Sequence, residues 1–284
     1  GDGQAVINAA LVASTYQQGI AFRTGYYELN GKAGTGSTVA SYGFKVIPSD
    51  TSHSEQLIGC PILGDSSRQV DNITIKYVAM VNTGIGDGSK GRFGIYSIPS
   101  AGNNSYNITV SNCYFSGGHV NIYPLYAHHW IIENSYFADN WSSSSNHGEQ
   151  IAPRNCDDFI IRNNVFKNTS LYVVGAHSVV ADQPCNYRYK IYNNIIDGVN
   201  SSSCMNSAFG NATASSDDTN LQWEVHHNTF MNVSFGGTGC NSLQGFVFTG
   251  VMTDTATNHH HVYNNIFYNC TNPRLNHVSP YTTG

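Results

Sequence analysis

The chain has 284 residues, of which only 11% are charged, and its formal net charge is −5 with an isoelectric point near 6.1. This balance argues against a nucleic-acid partner and against a surface that is basic overall. No apolar run approaches the roughly 18 residues that a membrane-spanning helix needs, so we expect no membrane span.

The N-terminal segment GDGQAVINAALVAS (1–14) carries apolar residues at helical spacing: Val6, Ala9, Ala10 and Ala13. This spacing predicts a short amphipathic helix. The strand-like sequence GIAFRTGYYELNG (19–31) follows it. Together they predict an N-terminal cap over residues 1–30. The chain has neither an initiator Met nor a signal segment, so we expect a processed, mature form.

From residue 73 onwards, one eight-residue pattern recurs with drift, as in WIIENSYF (130–137) and FIIRNNVF (159–166). Each copy has a central aliphatic anchor: Ile75, Val110, Ile132, Ile161, Ile191, Val225 and Val262. Successive anchors are 22 to 37 residues apart. That period predicts a solenoid in which each turn is one supersecondary unit and loops absorb the length variation.

The residues around each anchor indicate the kind of solenoid. The residue two before the anchor is mostly large and apolar and those flanking it are mostly polar, which predicts a strand with one buried face. Asparagines follow the anchor at Asn112, Asn134, Asn163–Asn164, Asn193–Asn194, Asn228 and Asn264–Asn265. Asparagine tolerates the left-handed backbone of a sharp bend, and stacked amides can form a ladder. A buried position then returns as Met80, Phe115, Phe137, Phe166, Ile196, Phe230 and Phe267.

Strand, asparagine bend, strand and loop, repeated seven times, resemble the right-handed parallel β-helix of the pectate-lyase-like superfamily over residues 55–270. We therefore expect an all-β fold, a right-handed parallel β-helix solenoid of about seven to nine coils with a short N-terminal capping helix. The solenoid would span 31–270 and be followed by a C-terminal tail, 271–284. No linker divides the chain, so we expect one domain.

The cysteines become interpretable once the coils are aligned on their anchors. Cys156 and Cys185 lie five and six residues before their anchors, and Cys204 and Cys240 lie 21 and 22 before theirs. Each pair should therefore lie at one corner of adjacent coils, about 4.8 Å apart. We predict Cys156–Cys185 and Cys204–Cys240 disulfides, which form in an oxidising compartment. The alternative is that all seven cysteines are small buried residues.

The composition also indicates a secreted, extracellular protein. Charged residues are few, while Asn, Ser, Thr, Gly and Tyr are plentiful. N-glycosylation sequons are frequent, although several would arise by chance in a chain so rich in asparagine. The candidate acceptors are Asn103, Asn140, Asn200 and Asn211.

The stretch SNHGEQIAPRNCDDFIIRNNVFKN (145–168) concentrates polar side chains just before a strand. In lyases and hydrolases of the superfamily that this chain resembles, this region forms the substrate groove, so His147, Glu149 and Arg154 are the catalytic candidates if the protein is an enzyme. Tyr123 and His128 are the carbohydrate-binding candidates. HGEQIA is echoed by HSEQLI at residues 53–58, and a repeated motif can equally be a structural device that begins a strand.

Strand alternation favours the structural interpretation of Glu149. It places Glu149 on the same side as Ile151, while Gln150, Ala152 and Arg154 face out. Further along the chain, outward charges of opposite sign should pair across coils on a solvated face, Glu133 with Arg162 and Lys190 with Glu224.

Enzyme chemistry sets further requirements. A glycoside hydrolase needs two carboxylates about 5 to 9.5 Å apart, and Asp139, Asp157 and Asp182 are possible partners for Glu149. A uronate lyase needs a base together with cations or calcium, so calcium would be its cofactor; otherwise we expect none. The run His259–His261 alternates between the two strand faces, so we predict no metal site there.

A structural function is the other hypothesis. The last coil of a β-helix exposes unpaired backbone groups and an apolar cross-section that must be covered. After Phe267 the sequence offers no amphipathic helix for this purpose, but another copy of the chain, stacked head-to-tail, would do it. We favour a non-catalytic, self-assembling structural subunit of a filament or surface layer. The alternative is a polysaccharide lyase or glycoside hydrolase with polysaccharide as its partner.

Overall fold

The structure is a computed structural model, and it describes residues 5–8, 17–32, 42–47, 55–59, 69–82, 93–97, 104–140, 148–169, 172–177, 188–198, 207–213, 222–235, 245–247 and 261–271. In these ranges the chain forms 26 strands, numbered β1 to β26 in chain order, and no helix. Accordingly, no helix in these ranges is long and apolar enough to cross a membrane. The strands assemble into three sheets, A, B and C, in which every pairing is parallel.

Sheet A consists of β1 (Ala5–Asn8), β4 (Phe44–Ile47), β7 (Val78–Val81), β10 (Tyr114–Ser116), β14 (Tyr136–Ala138), β17 (Val165–Lys167), β20 (Ile195–Asp197), β23 (Thr229–Met231) and β26 (Ile266–Tyr268). Sheet B consists of β2 (Gln17–Ala21), β5 (Glu55–Gly59), β8 (Phe93–Ser97), β11 (Val120–Pro124), β15 (Glu149–Ile151), β18 (Tyr172–His177), β21 (Ser207–Thr213) and β24 (Gly245–Val247).

Sheet C consists of β3 (Tyr27–Asn30), β6 (Asp71–Lys76), β9 (Ser105–Ser111), β13 (Ile131–Glu133), β16 (Phe159–Arg162), β19 (Arg188–Tyr192), β22 (Gln222–His226) and β25 (His261–Tyr263), and the short β12 (Ala127–His128) also pairs with β9. The chain visits the sheets in the order A, B, C, so the strands define eight coils, and β26 begins a ninth. The predicted all-β parallel β-helix is thereby confirmed, with a coil number inside the predicted range.

The N-terminus departs from the prediction where the structure describes it. Ala5–Asn8, in the segment predicted as a capping helix, is a strand that pairs with β4, Val6 opposite Lys45. The pairing satisfies the backbone groups of this segment, and the β-branched residues Val6 and Ile7 favour a strand. The first coil therefore lies within 1–30. Ala9, Ala10 and Ala13, and the tail beyond residue 271, lie outside the described residues.

The predicted anchor column is confirmed in sheet C. The strand register places the anchors opposite one another in sequence order: Ile75, Val110, Ile132, Ile161, Ile191, Val225 and Val262. Leu29 of β3 extends this column by one coil. The predicted sheet A column is confirmed as well, with the rings of Phe115 and Phe137 stacked 4.6 Å apart. These two columns form much of the core.

A sharp bend follows each sheet C strand, and we call it the exit corner. In six coils it consists of Asn112–Cys113, Asn134–Ser135, Asn163–Asn164, Asn193–Asn194, His227–Asn228 and Asn264–Asn265. The first residue of each pair has a left-handed backbone, with φ between 51° and 56°. In the last four of these coils the second residue forms the predicted amide ladder: Nδ2 of Asn164 donates to Oδ1 of Asn194 at 3.1 Å, and Asn194 donates to Asn228 at 2.9 Å.

The outer face of sheet C carries the predicted pairs of opposite charge. A guanidinium nitrogen of Arg162 lies 2.6 Å from the Glu133 carboxylate, and Nζ of Lys190 lies 3.7 Å from that of Glu224. Each pair joins adjacent coils at the surface, where such contacts contribute little to stability.

Candidate functional site

An aromatic cluster lies on sheet B, formed by Phe93, Tyr96 and Tyr123 of strands β8 and β11. The rings of Tyr96 and Tyr123 are stacked, with centroids 5.2 Å apart, because the strand register places these residues opposite one another. Phe93 contacts both rings, at 4.5 Å and 5.1 Å. All three side chains are half-buried, so the cluster keeps part of its surface in contact with solvent.

Arg154 completes this cluster. A backbone bridge holds Arg154 beside Leu125, and its guanidinium carbon lies 4.7 Å from the centre of the Tyr123 ring. This is the geometry of a cation–π contact. Burial raises the pKa of the Tyr123 hydroxyl, and the nearby charge of Arg154 opposes that shift in part. The structure thus brings together two of the predicted site residues, Tyr123 and Arg154.

Glu149 is placed differently from a solvent-facing catalytic carboxylate. Its side chain is only 2% exposed, and its Oε2 accepts a hydrogen bond from the Gly148 N–H at 2.9 Å. Gly175 makes room for it, because a Cβ at that position would lie 2.7 Å from Cγ of Glu149. The negative charge of Glu149 also raises the pKa of Tyr123, so the buried carboxylate lies within electrostatic range of the aromatic cluster.

The orientation predicted from strand alternation was wrong for two residues close to Glu149. Gln150 and Ala152, expected to face out, are both fully buried. The Gln150 amide stays hydrogen-bonded inside the protein: its Oε1 accepts from Asn121 and its Nε2 donates to Thr169. Burial is possible because these partners satisfy the amide. His147, the third catalytic candidate, lies outside the described residues.

His128 belongs to a second group of polar residues, at the bend that leads into sheet C. We call this bend the entry corner, and it consists of Tyr106–Asn107, His128–His129, Asp157–Asp158 and Arg188. Nδ1 of His128 lies 2.5 Å from the Asp157 carboxylate, and its ring stacks on Tyr106 at 4.8 Å. Nδ1 of His129 lies 3.1 Å from Asp158. Asp157, considered above as a partner for Glu149, is therefore paired with His128.

The structure describes only some of the residues named in the glycosylation and metal predictions. Asn140 is 6% exposed and its Nδ2 donates to the Gly148 carbonyl, so a glycan there would need this side chain to leave the interior. Asn103 and Asn200 lie outside the described residues, and Asn211 lies in β21 with its side chain undescribed. Where the chain is described, no three His, Cys, Asp or Glu residues converge as metal ligands.

The disulfide predictions remain predictions. The Cys156 sulfur donates hydrogen bonds to the carbonyl oxygens of Arg154 and Pro124. Cys185, its predicted partner, lies outside the described residues, as do Cys204 and Cys240. No disulfide joins Cys113, Cys156 and Cys270, the cysteines that the structure does describe. Burial raises the pKa of the Cys113 thiol to about 12.

Three parallel sheets wound in successive coils place the protein in the class of parallel β-helix proteins. Comparison of the chain with protein-family models, with curated proteins and with solved structures gave no match. Arguments about function therefore rest on the geometry of its own residues.

Proposed function

We propose that the protein is a secreted, extracellular β-helix of the pectate-lyase-like superfamily that acts as a self-assembling, non-catalytic subunit of a filament or surface layer. The observation that carries this proposal is a change of exposure along one column of sheet A. Phe230 of β23 is fully buried, whereas Phe267, the next ring in the stack and 4.9 Å away, is 37% exposed.

The outward-facing neighbours of Phe267 in β26 add to this exposed surface. Ile266 and Tyr268 are 61% and 67% exposed. In the first coil, at the opposite end of the solenoid, Tyr27 of β3 in sheet C is also an exposed aromatic residue. Exposed apolar surface at a sheet edge favours association, because burial removes it from water and unpaired strand edges accept further strands.

A second copy of the chain is a suitable partner for such an end. A copy stacked end to end uses two different surfaces, so the contact is heterologous and repeats into an open filament unless the rotation closes a ring. The low content of charged side chains supports the same proposal, because little like-charge repulsion opposes close stacking of copies.

Two variants of one sheet A column test this proposal. Ile266 and Ile195 occupy the same outward column, at the terminal coil and two coils inside it, and both are exposed. We expect Ile266→Asp to reduce assembly and Ile195→Asp to leave it unchanged, measured by electron microscopy and sedimentation at several concentrations. Circular dichroism confirms folding of both variants. A wild-type chain that stays monomeric at every concentration would refute the proposal, as would equal losses in the two variants.

The aromatic cluster supports a second candidate function, polysaccharide binding or cleavage by a lyase or hydrolase mechanism. Tyr96 and Tyr123 present a part-exposed aromatic surface beside a guanidinium, and this combination suits an acidic sugar chain. We expect Tyr123→Ala to remove binding or turnover of acidic polysaccharides and Tyr136→Ala, on sheet A, to retain it. Glu149→Gln should lower Tm without removing binding. Equal behaviour of the two tyrosine variants would rule this function out.

A further inference from the structure

Two adjacent histidines lie at the exit corner of the seventh coil. His226 ends β22, and His227 occupies the left-handed position, φ 54°, where the neighbouring coils have Asn193 and Asn264. The two Nδ1 atoms lie 2.7 Å apart, and the rings are nearly perpendicular, at 88°. Adjacent residues of a strand normally point to opposite faces, so the left-handed turn at His227 is what allows the two nitrogens to converge.

Neighbouring side chains hold both rings. The ring of His226 is stacked between Tyr192 and Tyr263, with centroids 5.0 Å and 4.8 Å away and nearly parallel planes. Its Nε2 lies 3.6 Å from Oε1 of Glu224, and the Nε2 of His227 lies 3.4 Å from Nδ2 of Asn264. Both Nε2 atoms thus face protein groups, which leaves the Nδ1 atoms directed at one another.

The two Nδ1 atoms share one proton at this distance. One imidazole donates and the other must present a lone pair, so both cannot carry a proton on Nδ1. His227 is exposed, so the shared position can be reached from solvent.

We propose that His226 and His227 form a two-imidazole site for a divalent transition-metal ion, with Cu²⁺ or Ni²⁺ preferred to Zn²⁺. The ion takes the place of the shared proton, which passes to solvent, and water fills the remaining positions. Metal–nitrogen bonds of ~2.0 Å put two ligands ~2.8 Å apart at a 90° angle and ~3.3 Å apart in a tetrahedron. The 2.7 Å separation is closer to the square-planar value.

The other pair of adjacent histidines among the described residues provides the contrast. At the entry corner, Nδ1 of His128 contacts Asp157 and Nδ1 of His129 contacts Asp158, so these nitrogens diverge to separate carboxylates. A metal ion would have to break both contacts to bind there. Because no three described ligand residues converge anywhere, the proposed site offers two protein ligands, and its affinity depends on both.

Substitutions with the residue found in neighbouring coils test the proposal with little risk to the fold. His227→Asn restores the asparagine of the exit corner, and His129→Asn, the matched control, introduces the residue that Asn107 supplies at the entry corner. We expect His227→Asn to weaken Cu²⁺ binding at least ~10-fold. Loss of a residue that only supports a metal ligand already weakens binding ~10-fold, and His227 is proposed to be a ligand itself. Calorimetry measures the affinity, and electron paramagnetic resonance counts the coordinated nitrogens.

The possible results are decisive in both directions. A lower affinity with one coordinated nitrogen fewer in His227→Asn, and an unchanged control, supports the site. Equal affinity in wild type and His227→Asn overturns it. Cu²⁺ binding that persists unchanged in the double variant, His226→Gln with His227→Asn, assigns the ion to other histidines such as His259–His261 and overturns it as well.

Discussion

The two corners that flank sheet C use the same backbone conformation with different side chains. At the entry corner, Asn107, His129 and Asp158 have φ between 52° and 57°, and at the exit corner the left-handed residues lie within 51° to 56°. In four coils the side chain behind the exit corner is an amide, and three of these amides, Asn164, Asn194 and Asn228, are buried. The side chains of the entry corner are mostly aromatic, basic or acidic, and they remain partly exposed.

Burial explains this difference. A side chain in a buried column must donate to one coil and accept from the other, and asparagine does both while remaining uncharged. Asn194 illustrates this: its Oδ1 accepts from Asn164, and its Nδ2 donates to Asn228 and to the Ile161 carbonyl. At the partly exposed entry corner water solvates the remaining groups, so charged residues are acceptable as pairs, as with Asp158 and Arg188.

The largest effect is expected from breaking the amide ladder. Asn194→Ala leaves the backbone N–H of Asn164 without its buried acceptor. It also removes one of the two acceptors of the Asn164 Nδ2, which keeps the Ile132 carbonyl, and one hydrogen bond to the Ile161 carbonyl. An orphaned buried group costs about 1–3 kcal/mol, and the other lost hydrogen bonds add to this, so we expect a loss of about 2 kcal/mol or more in the free energy of unfolding. Urea denaturation measures it.

Asn193, the exposed neighbour of Asn194, supplies the control. Its backbone is left-handed, φ 56°, a conformation that glycine adopts without strain. Asn193→Gly should therefore be close to neutral. If Asn193→Gly costs as much as Asn194→Ala, the backbone bend rather than the ladder stabilises this corner, and the distinction between the two corners fails.

The exit corner could be predicted from the sequence because asparagine recurs two or three residues after six of the seven anchors. The entry corner carries the same kind of signal in a weaker form. His128 and Asp157 both lie four residues before their anchors, so aligning the anchors would have brought them together. Their different residue types concealed the column.

Other parts of the site could not be predicted for a physical reason. Arg154 meets Tyr123 through the backbone bridge to Leu125 beyond the end of β11, and loops of varying length separate the sheet B strands from the anchors. Gln150 is buried because Asn121 and Thr169 satisfy its amide, and its own strand carries no sign of these partners. The convergence of His226 and His227 likewise depends on the backbone turn at His227 rather than on alternation.

A smaller effect is expected at the entry corner. Asp158 lies 2.6 Å from Arg188 and 3.1 Å from His129, at the surface. Exposed ion pairs contribute about 0–1 kcal/mol, so Asp158→Asn should lower the free energy of unfolding by at most about 1 kcal/mol. Added salt should reduce the difference in stability between Asp158→Asn and wild type, because at about 1 M salt the attraction between exposed charges is screened over about 3 Å. A loss as large as that of Asn194→Ala, or one insensitive to salt, would contradict the contrast between the corners.

The smallest effect on the free energy of unfolding is expected from the protonation of His226, in the coil whose exit corner carries imidazoles. Because the pKa of His226 is lowered below 6.5, the unfolded chain takes up a proton that the folded chain resists. The stability linked to His226 is therefore present above pH 6.5 and is lost as the pH falls below that value. We expect His226→Gln to flatten the decline in the free energy of unfolding between about pH 7.5 and about pH 5, with a chelator present to exclude metal. An equally steep decline in His226→Gln and wild type would show that another group is responsible.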